Sequence, residues 1–283
     1  MPLDKTGALS HEQGMDPRLA KTKDFATEFA AEFLGCLRFC TRLPIPALGF
    51  EKAPYEMPTG AAVRMLPVAG AALGVVAAIA LFVAAKLGLP PPLAALVGIV
   101  CLTLITGGLH EDGLADFADG TGGANPEERL AIMKDSRIGA FGTLALVFGS
   151  LARVLSIAII AAHGLCFASW VLIATAAVSR TLMLLALRLL PPARAEGAGF
   201  AAAALSEPVL AVTALIGFVF GLTPLLAGAG FGRVILAMVL SVAAAYGVIA
   251  LARRLLKGQT GDVAGAAQQA AEIAGYLVYA AAL

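Results

Sequence analysis

One charged segment stands out in an otherwise apolar chain, and it reads Thr106-Gly-Gly-Leu-His-Glu-Asp-Gly-Leu-Ala-Asp-Phe-Ala-Asp-Gly120. It follows an apolar run and holds four acids and one histidine within ten residues. If the segment is helical, Asp112, Asp116 and Asp119 lie at i, i+4 and i+7 and share one stripe of the helix surface. Mg²⁺ prefers carboxylate oxygens and usually shares its sites with phosphate oxygens, so this stripe predicts a Mg²⁺ site.

Other interpretations of the segment stay open. Gly113 and Gly120 weaken a helix, so a partly unwound segment would also fit. The acids could instead be the solvated end of a membrane helix. His110 would lie on roughly the opposite side of the helix from the acid stripe, so the spacing alone does not place it in the same site.

The composition indicates a membrane protein. Of the 283 residues, 59% are hydrophobic and 14% are charged, whereas soluble domains carry about 25% charged residues. Long uncharged runs predict an all-α, polytopic helical bundle whose partner is the lipid bilayer. The net charge of +1 gives no signature of nucleic-acid binding. We expect about seven spans, at 65–85, 93–109, 139–161, 168–190, 208–227, 233–252 and 264–283.

The last predicted span is the weakest, because Gln268, Gln269 and Glu272 interrupt it. It fits a re-entrant or bundle-lining helix equally well. Before the spans, we expect residues 1–24 to form a disordered polar tail and residues 25–283 to form a single membrane domain.

Two further helices are predicted outside the spans. A four-residue recurrence of apolar side chains predicts an amphipathic helix over residues 25–41, lying on the membrane or packed on the bundle. Asn125 and Pro126 are typical of a helix start, and Glu128 can close a capping box, so a short cytoplasmic helix should begin there. The apolar stripe of the first helix consists of Phe25, Phe29, Phe33 and Leu37.

The distribution of Lys and Arg predicts the orientation. With the N-terminus inside, sixteen of these cations fall in inner segments and two in outer loops. The acid stripe and the loops at 188–207 and 253–262 then share the inner face. We therefore expect a multi-pass protein of the cell inner membrane whose active site faces the cytoplasm.

Four cations are candidates for binding phosphate. Lys134 and Arg137 lie close together before the third span and could hold phosphate oxygens, although they could also be anchors on the positive side. Arg153 and Arg180 fall inside predicted spans, where a charge costs about 2.5–3.5 kcal/mol on insertion scales. We expect these two to face a polar cavity that an anionic ligand or the acids of the charged segment reach; the alternative is that they reach the interface by snorkelling.

The start of the last helix carries a second polar motif, Gly258-Gln-Thr-Gly261-Asp262. Asp262 can cap that helix, which is the simplest interpretation. Helix-start amides such as that of Gly261 can also bind phosphate, and Asp262 can ligate a metal instead. Together with the acid stripe, these residues suggest a membrane enzyme that acts on a metal-bound diphosphate.

Several motifs together resemble the cobalamin synthase family of adenosylcobinamide-GDP ribazoletransferases, from about residue 30 to the end of the chain. The long motif in 107–120 is the most specific of them. The supporting motifs are Thr41-Arg-Leu-Pro-Ile-Pro46, Ile132-Met-Lys-Asp-Ser-Arg-Ile-Gly139, Ser179-Arg180 and Gly258-Gln-Thr-Gly-Asp-Val-Ala-Gly-Ala266.

The resemblance implies a Mg²⁺-dependent membrane enzyme. A ribose hydroxyl of α-ribazole, or of α-ribazole 5′-phosphate, would attack the cobinamide-side phosphate of adenosylcobinamide-GDP and release GMP. His110 or a carboxylate would take the hydroxyl proton. The expected metal ligands are Asp112, Asp116, Asp119 and Asp262. The expected contacts to phosphate are Lys134, Arg137, Arg153, Arg180 and Gly261.

Rival classes are another Mg²⁺-dependent membrane transferase and an ion-coupled transporter. A CDP-alcohol phosphotransferase would show an Arg where this chain has Asp116, and a prenyltransferase would show N-D-x-x-D twice. Release of GMP would separate an enzyme from a transporter. The sequence leaves open whether the protein forms a homo-oligomer.

Overall fold

The computed structural model describes residues 17–51, 58–194 and 205–281. They form helices joined by short connections, with no strand in these three ranges, which confirms the all-α prediction. The helices are α1 (Pro17–Cys40), α2 (Leu66–Lys86), α3 (Pro91–Thr106), α4 (Leu109–Gly120), α5 (Pro126–Ile132), α6 (Ala140–His163), α7 (Leu165–Leu189), α8 (Glu207–Gly221), α9 (Phe231–Leu255) and α10 (Gly261–Ala281), with 3₁₀ helices at Gly60–Met65 and Thr223–Ala227.

Five of the described helical segments are long and apolar enough to cross a membrane, and the count is six if the bent pair α3 and α4 forms one span. The sequence predicted about seven spans, and two of these differ from a continuous apolar span. The two doubtful segments are 93–109, which is broken, and 264–283, whose polar residues lower its hydropathy. The five segments that qualify are Gly60–Lys86, Ala140–His163, Leu165–Leu189, Glu207–Ala227 and Phe231–Leu255.

A sharp break separates α3 from α4, whose axes meet at 86°. Gly107 and Gly108 form the break with φ values of +65° and +70°, a left-handed conformation that favours glycine. The backbone N–H of Arg42 donates to the carbonyl of Ile105 at 2.9 Å. The side chain of Arg42 then covers Gly107 so closely that a Cβ there would lie 2.2 Å from its Cδ. The break is thus built by local conformation and by packing from the end of α1.

After the break, α4 runs antiparallel to the first half of α6. Asp119 near the end of α4 contacts the start of α6, whereas Glu111 near the beginning of α4 contacts Arg153. Arg153 lies about 20 Å further along α6, at 1.5 Å per residue. We call the end where α4 and α7 finish and α6 and α10 begin the site end of the bundle.

Helix α10 occupies the interior of the bundle and packs against α4, α6, α7 and α9. Its polar residues Gln268 and Glu272 are fully buried. This matches the bundle-lining alternative for the last predicted helix. Burying a polar group without a hydrogen bond is costly, so these side chains must find partners on neighbouring helices.

Helix α1 packs on the bundle, which decides between the two alternatives for the amphipathic helix. Phe29, Phe33 and Leu37 pack against the core, and Glu32 accepts a 2.7 Å hydrogen bond from Nε of Arg64. The side chain of Phe25 lies outside the part of the structure that is described. The helix begins at Pro17, so it includes the last residues of the segment expected to be a tail, and residues 1–16 lie outside the described ranges.

The short helix α5 begins where the sequence predicts. The side chain of Asn125 accepts a 2.9 Å hydrogen bond from the Glu128 N–H, and Pro126 occupies the first turn. The Glu128 carboxylate accepts from the N–H of Ala124 rather than from that of Asn125, one residue earlier than in a standard capping box. Arg129 donates to the carbonyl of Leu255 at 3.1 Å, which ties α5 to the end of α9.

Candidate active site

The acid stripe is helical, as the spacing predicts, but its members differ in their surroundings. Asp119 accepts hydrogen bonds from the N–H groups of Gly139 at 2.7 Å and Gly142 at 2.8 Å, one on each carboxylate oxygen. It therefore satisfies the amides at the start of α6, where a negative charge is also favoured by the helix dipole. Asp112 and Asp116 carry no such contact.

Asp262 joins the stripe from α10, because glycine at position 113 lets the two helices touch. A Cβ at Gly113 would lie 3.0 Å from the Cα and carbonyl oxygen of Asp262. Asp116 lies within electrostatic range of the carboxylates of Asp112, Asp119 and Asp262. Two elements distant in sequence thus bring four aspartates together at the site end.

Asp262 does not cap α10. The Thr260 hydroxyl accepts the hydrogen bond from the Val263 N–H at 3.3 Å, in the N-cap position. The Asp262 carboxylate instead lies 3.2 Å from the Thr260 hydroxyl. The carboxylate therefore remains available to a ligand, which the simplest sequence interpretation did not allow.

The donor chemistry of this cluster fits Mg²⁺. Within the described ranges, no three His, Cys, Asp or Glu side chains converge on a preformed metal cage. Mg²⁺ does not require one, since it usually keeps several waters and binds through one or two carboxylates plus substrate phosphates. Asp112, Asp116 and Asp262 supply such carboxylates, whereas Asp119 is already engaged with α6. The metal-ligand roles stay a prediction.

Arg194 is the cation that the structure places beside the acids, and the sequence analysis did not single it out. Its Nη1 lies 3.9 Å from Oδ2 of Asp262, and its Nη2 donates to the carbonyl of Leu130 at 3.0 Å. The guanidinium is therefore held at the site end by α5. The sequence signal for this role was weak, because it consisted of the position of Arg194 in a predicted inner loop.

A cavity of about 200 Å³ opens beside the acids. Its polar side chains, His110, Asp112 and Asp262, come from α4 and α10. His110 is only 3% exposed, and its Nε2 has no hydrogen-bond partner. The structure therefore brings His110 and Asp112 to the same cavity, although the helical spacing alone left this undecided. Gly261, at the start of α10, lines the cavity as well.

Arg153 and Arg180 belong to a buried charge network, which we define as Glu111, Arg153, Arg180 and Glu272. Nη1 of Arg153 donates to Glu111 at 2.6 Å, and its Nη2 lies 2.9 Å from Glu272. Nη1 of Arg180 lies 4.0 Å from Glu272 and 3.1 Å from the carbonyl of Ala176. The two arginines were expected to face a polar cavity. In the structure, two glutamates on other helices balance their charge instead.

Amide and hydroxyl groups complete this network. Gln268 donates to Glu272 at 2.7 Å and to Ser179 at 2.9 Å, and Thr103 donates to Glu111 at 3.1 Å. The sequence analysis gave neither glutamate a role. The signal for Glu272 was present, since it interrupts an apolar helix together with two glutamines.

Lys134 and Arg137 lie in the exposed connection between α5 and α6. The side chain of Arg137 is 86% exposed and donates to Asp135. Its hydrogen bonds hold the pKa of the Asp135 carboxyl at about 2, below the ordinary value. Arg137 therefore has an anionic partner within its own loop, and the phosphate-binding role of both cations stays a prediction.

Comparison with known proteins identifies clear relatives. The family model for cobalamin-5-phosphate synthase matches residues 32–280. A protein of Azorhizobium caulinodans is 43% identical over 254 residues, which is 88% of this chain and 96% of the relative. The corresponding values are 41% over 240 residues (84% and 92%) for Brucella anthropi and 39% over 247 residues (86% and 93%) for Xanthobacter autotrophicus. All three are named adenosylcobinamide-GDP ribazoletransferase. No solved structure matches the chain.

Proposed function

This chain belongs to the cobalamin-5-phosphate synthase family and is a transferase of cobalamin synthesis, and we propose that it joins adenosylcobinamide-GDP to α-ribazole or α-ribazole 5′-phosphate. The products are adenosylcobalamin or its 5′-phosphate, and GMP. The observation that carries this proposal is that Asp112 and Asp262 line one cavity, with Asp116 near both carboxylates and Arg194 beside Asp262.

The acids provide a place for the divalent cation that a diphosphate substrate brings. Asp112, Asp116 and Asp262 would hold Mg²⁺, and Asp119 would contribute mainly by fixing α4 against α6. When bound, Mg²⁺ neutralises charge on the diphosphate oxygens. Arg194 lies beside Asp262 and is suited to bind the phosphate that leaves with GMP.

The reaction needs one proton acceptor. The ribose hydroxyl oxygen forms a new bond to the cobinamide-side phosphorus, while the bond from that phosphorus to the bridging oxygen breaks. GMP departs with the electron pair of that bond. His110 is placed to take the hydroxyl proton, because its Nε2 has no other hydrogen-bond partner and the side chain lines the cavity. A carboxylate of Asp112 is the second candidate.

Arg153 and Arg180 have a different role in this scheme. Their charges are balanced by Glu111 and Glu272 inside the bundle, so they hold α4 and α10 in register and do not bind phosphate. Lys134 and Arg137 would contact phosphate from the loop that precedes α6.

The site end faces the cytoplasm in this proposal, and the protein resides in the inner membrane. The reason is the distribution of cations, since cytoplasmic loops are rich in Lys and Arg. Within the described ranges, the end of the bundle opposite the site end carries Lys86 at the end of α2 and Arg233 at the start of α9. At the site end lie Arg129, Lys134, Arg137, Arg188, Arg194, Arg253, Arg254 and Lys257.

Release of GMP by the purified protein in detergent tests the proposal. With both substrates present, GMP should appear only when Mg²⁺ is added and should stop when the metal is chelated. Asp116→Asn should lower the rate about 100-fold or more while the protein still inserts and elutes normally. Glu127→Gln, which removes an exposed acid on α5, is the control and should leave the rate unchanged. Wild-type activity without divalent cation would refute the metal assignment.

A transporter makes the opposite prediction. It would release no GMP under any metal condition, and its acids would bind a cation without turnover. The same assay therefore separates the two classes.

A further inference from the structure

The cavity beside the acids has two chemically different walls. Every polar side chain that lines it comes from α4 or α10. The facing wall is built by the end of α1, the 3₁₀ helix, α2 and α7, and it presents only apolar groups. These include Phe39, Val63, Leu66, Met183, Leu184 and Leu187.

We propose that this apolar wall forms the subsite for the aromatic base of the ribazole substrate. The inference rests on the proposed function and specifies which part of which substrate the cavity takes. The ring would pack against Leu66, Leu184 and Leu187, and the attached ribose would extend toward His110 and Asp112. The nucleophilic hydroxyl is then delivered to the acids by the burial of the base.

The size of the cavity supports a bicyclic ring. An apolar cavity of about 150 Å³ in another protein binds benzene, and this cavity measures about 200 Å³. The benzimidazole of α-ribazole is one fused ring larger than benzene. A corrin macrocycle is several times larger and must remain outside the cavity.

The polarity of the wall distinguishes this base from guanine, which is also bicyclic. Guanine carries several donors and acceptors, and burying them without partners is unfavourable. Leu66, Met183 and Leu187 offer none. The base of α-ribazole has a single unsubstituted ring nitrogen and an otherwise hydrocarbon perimeter, so it can enter the same space at little polar cost. The guanosine half of the other substrate is therefore placed outside, near Arg194.

Inhibition by the free base tests the subsite on the wild-type protein. GMP release is measured first with both substrates, so that failure of the proposed function is seen before any inhibitor is added. 5,6-Dimethylbenzimidazole should then compete with α-ribazole and should not compete with adenosylcobinamide-GDP. Competition with the GDP-linked substrate, or no inhibition up to the solubility limit in an active enzyme, would overturn the subsite alone.

A matched pair of variants tests the same idea from the protein side. Leu187→Trp fills the cavity from α7 and should raise the KM for α-ribazole roughly tenfold or more, with the KM for adenosylcobinamide-GDP unchanged. Leu189→Trp makes the same change at an exposed position of α7 and should alter neither constant. A cavity occupied by a lipid chain would leave the α-ribazole KM of Leu187→Trp unaffected, which would contradict the proposal. If Leu187→Trp fails to insert, the wild-type inhibition pattern decides.

Discussion

Removing one charge from the buried charge network should destabilise the protein far more than removing a pair of opposite charges. Arg153 is 2% exposed and Glu272 is 1% exposed, with 2.9 Å between their charged atoms. The wild-type network contains two arginines and two glutamates and is neutral. Arg153→Met leaves one uncompensated negative charge, Glu272→Met leaves one positive charge, and the double variant is neutral again.

The expected magnitudes follow from the cost of an unpaired buried charge. Each single substitution should lower the free energy of unfolding by about 3–5 kcal/mol, which corresponds to a fall in Tm on the order of 10 °C. The double variant should cost no more than either single variant. The coupling energy between the two positions should therefore be at least about 3 kcal/mol.

Equilibrium unfolding in mixed micelles measures these energies. The fluorescence of Trp170, the single tryptophan of the chain, reports from α7. The exposed pair Arg188 and Glu207 provides the control cycle, since their side chains are 44% and 75% exposed; each substitution there should change stability by less than about 1 kcal/mol. Additive costs in the Arg153 and Glu272 cycle would refute the network as a mutually compensating unit.

Three other perturbations test separate parts of the site. Gly113→Ala should push α10 away from α4, because the new Cβ would lie 3.0 Å from the Asp262 backbone. GMP release should then fall about tenfold or more. As the control, Gly247→Ala places its Cβ in open space and should retain full activity. Thr260→Ala should cost about 1 kcal/mol in the micelle titration by uncapping α10, and Thr260→Ser should restore it. Asn125→Ala should cost a similar amount at α5 with unchanged GMP release per folded molecule, and a large loss of release would show that α5 takes part in the reaction.

Helix positions were predictable because the hydrocarbon core fixes the length of each apolar run. The span predicted at 139–161 is helix Ala140–His163, and that predicted at 233–252 is Phe231–Leu255. The break after α3 was not predicted. An apolar window continues through the two glycines, and the 86° bend depends on a contact from Arg42 that no local pattern reports.

The candidate site shows the same division between local and distant information. The acid stripe was found because its residues lie within one helix, and their spacing alone places them on one surface. Glu272 was missed as a partner of Arg153 because it is far away in sequence, whereas Glu111 belongs to the charged segment that was expected to reach the buried arginines. Nothing in the composition of α6 indicates which neighbouring helix supplies the compensating acid. Arg194 was overlooked for the same reason.

Charge balance separates structural from functional ionisable groups in this bundle. The two arginines and two glutamates of the buried charge network cancel, so they need no ligand and are suited to fixing helix positions. At the site end, the guanidinium of Arg194 lies beside Asp262, while the carboxylates of Asp112, Asp116 and Asp119 add further negative charge. Negative charge therefore exceeds positive charge in this group, which lies where a cavity meets the end of the bundle and favours a divalent cation. A cation bound by this group should therefore raise the Tm of the wild-type protein without substrate, and Asp116→Asn should abolish that increase.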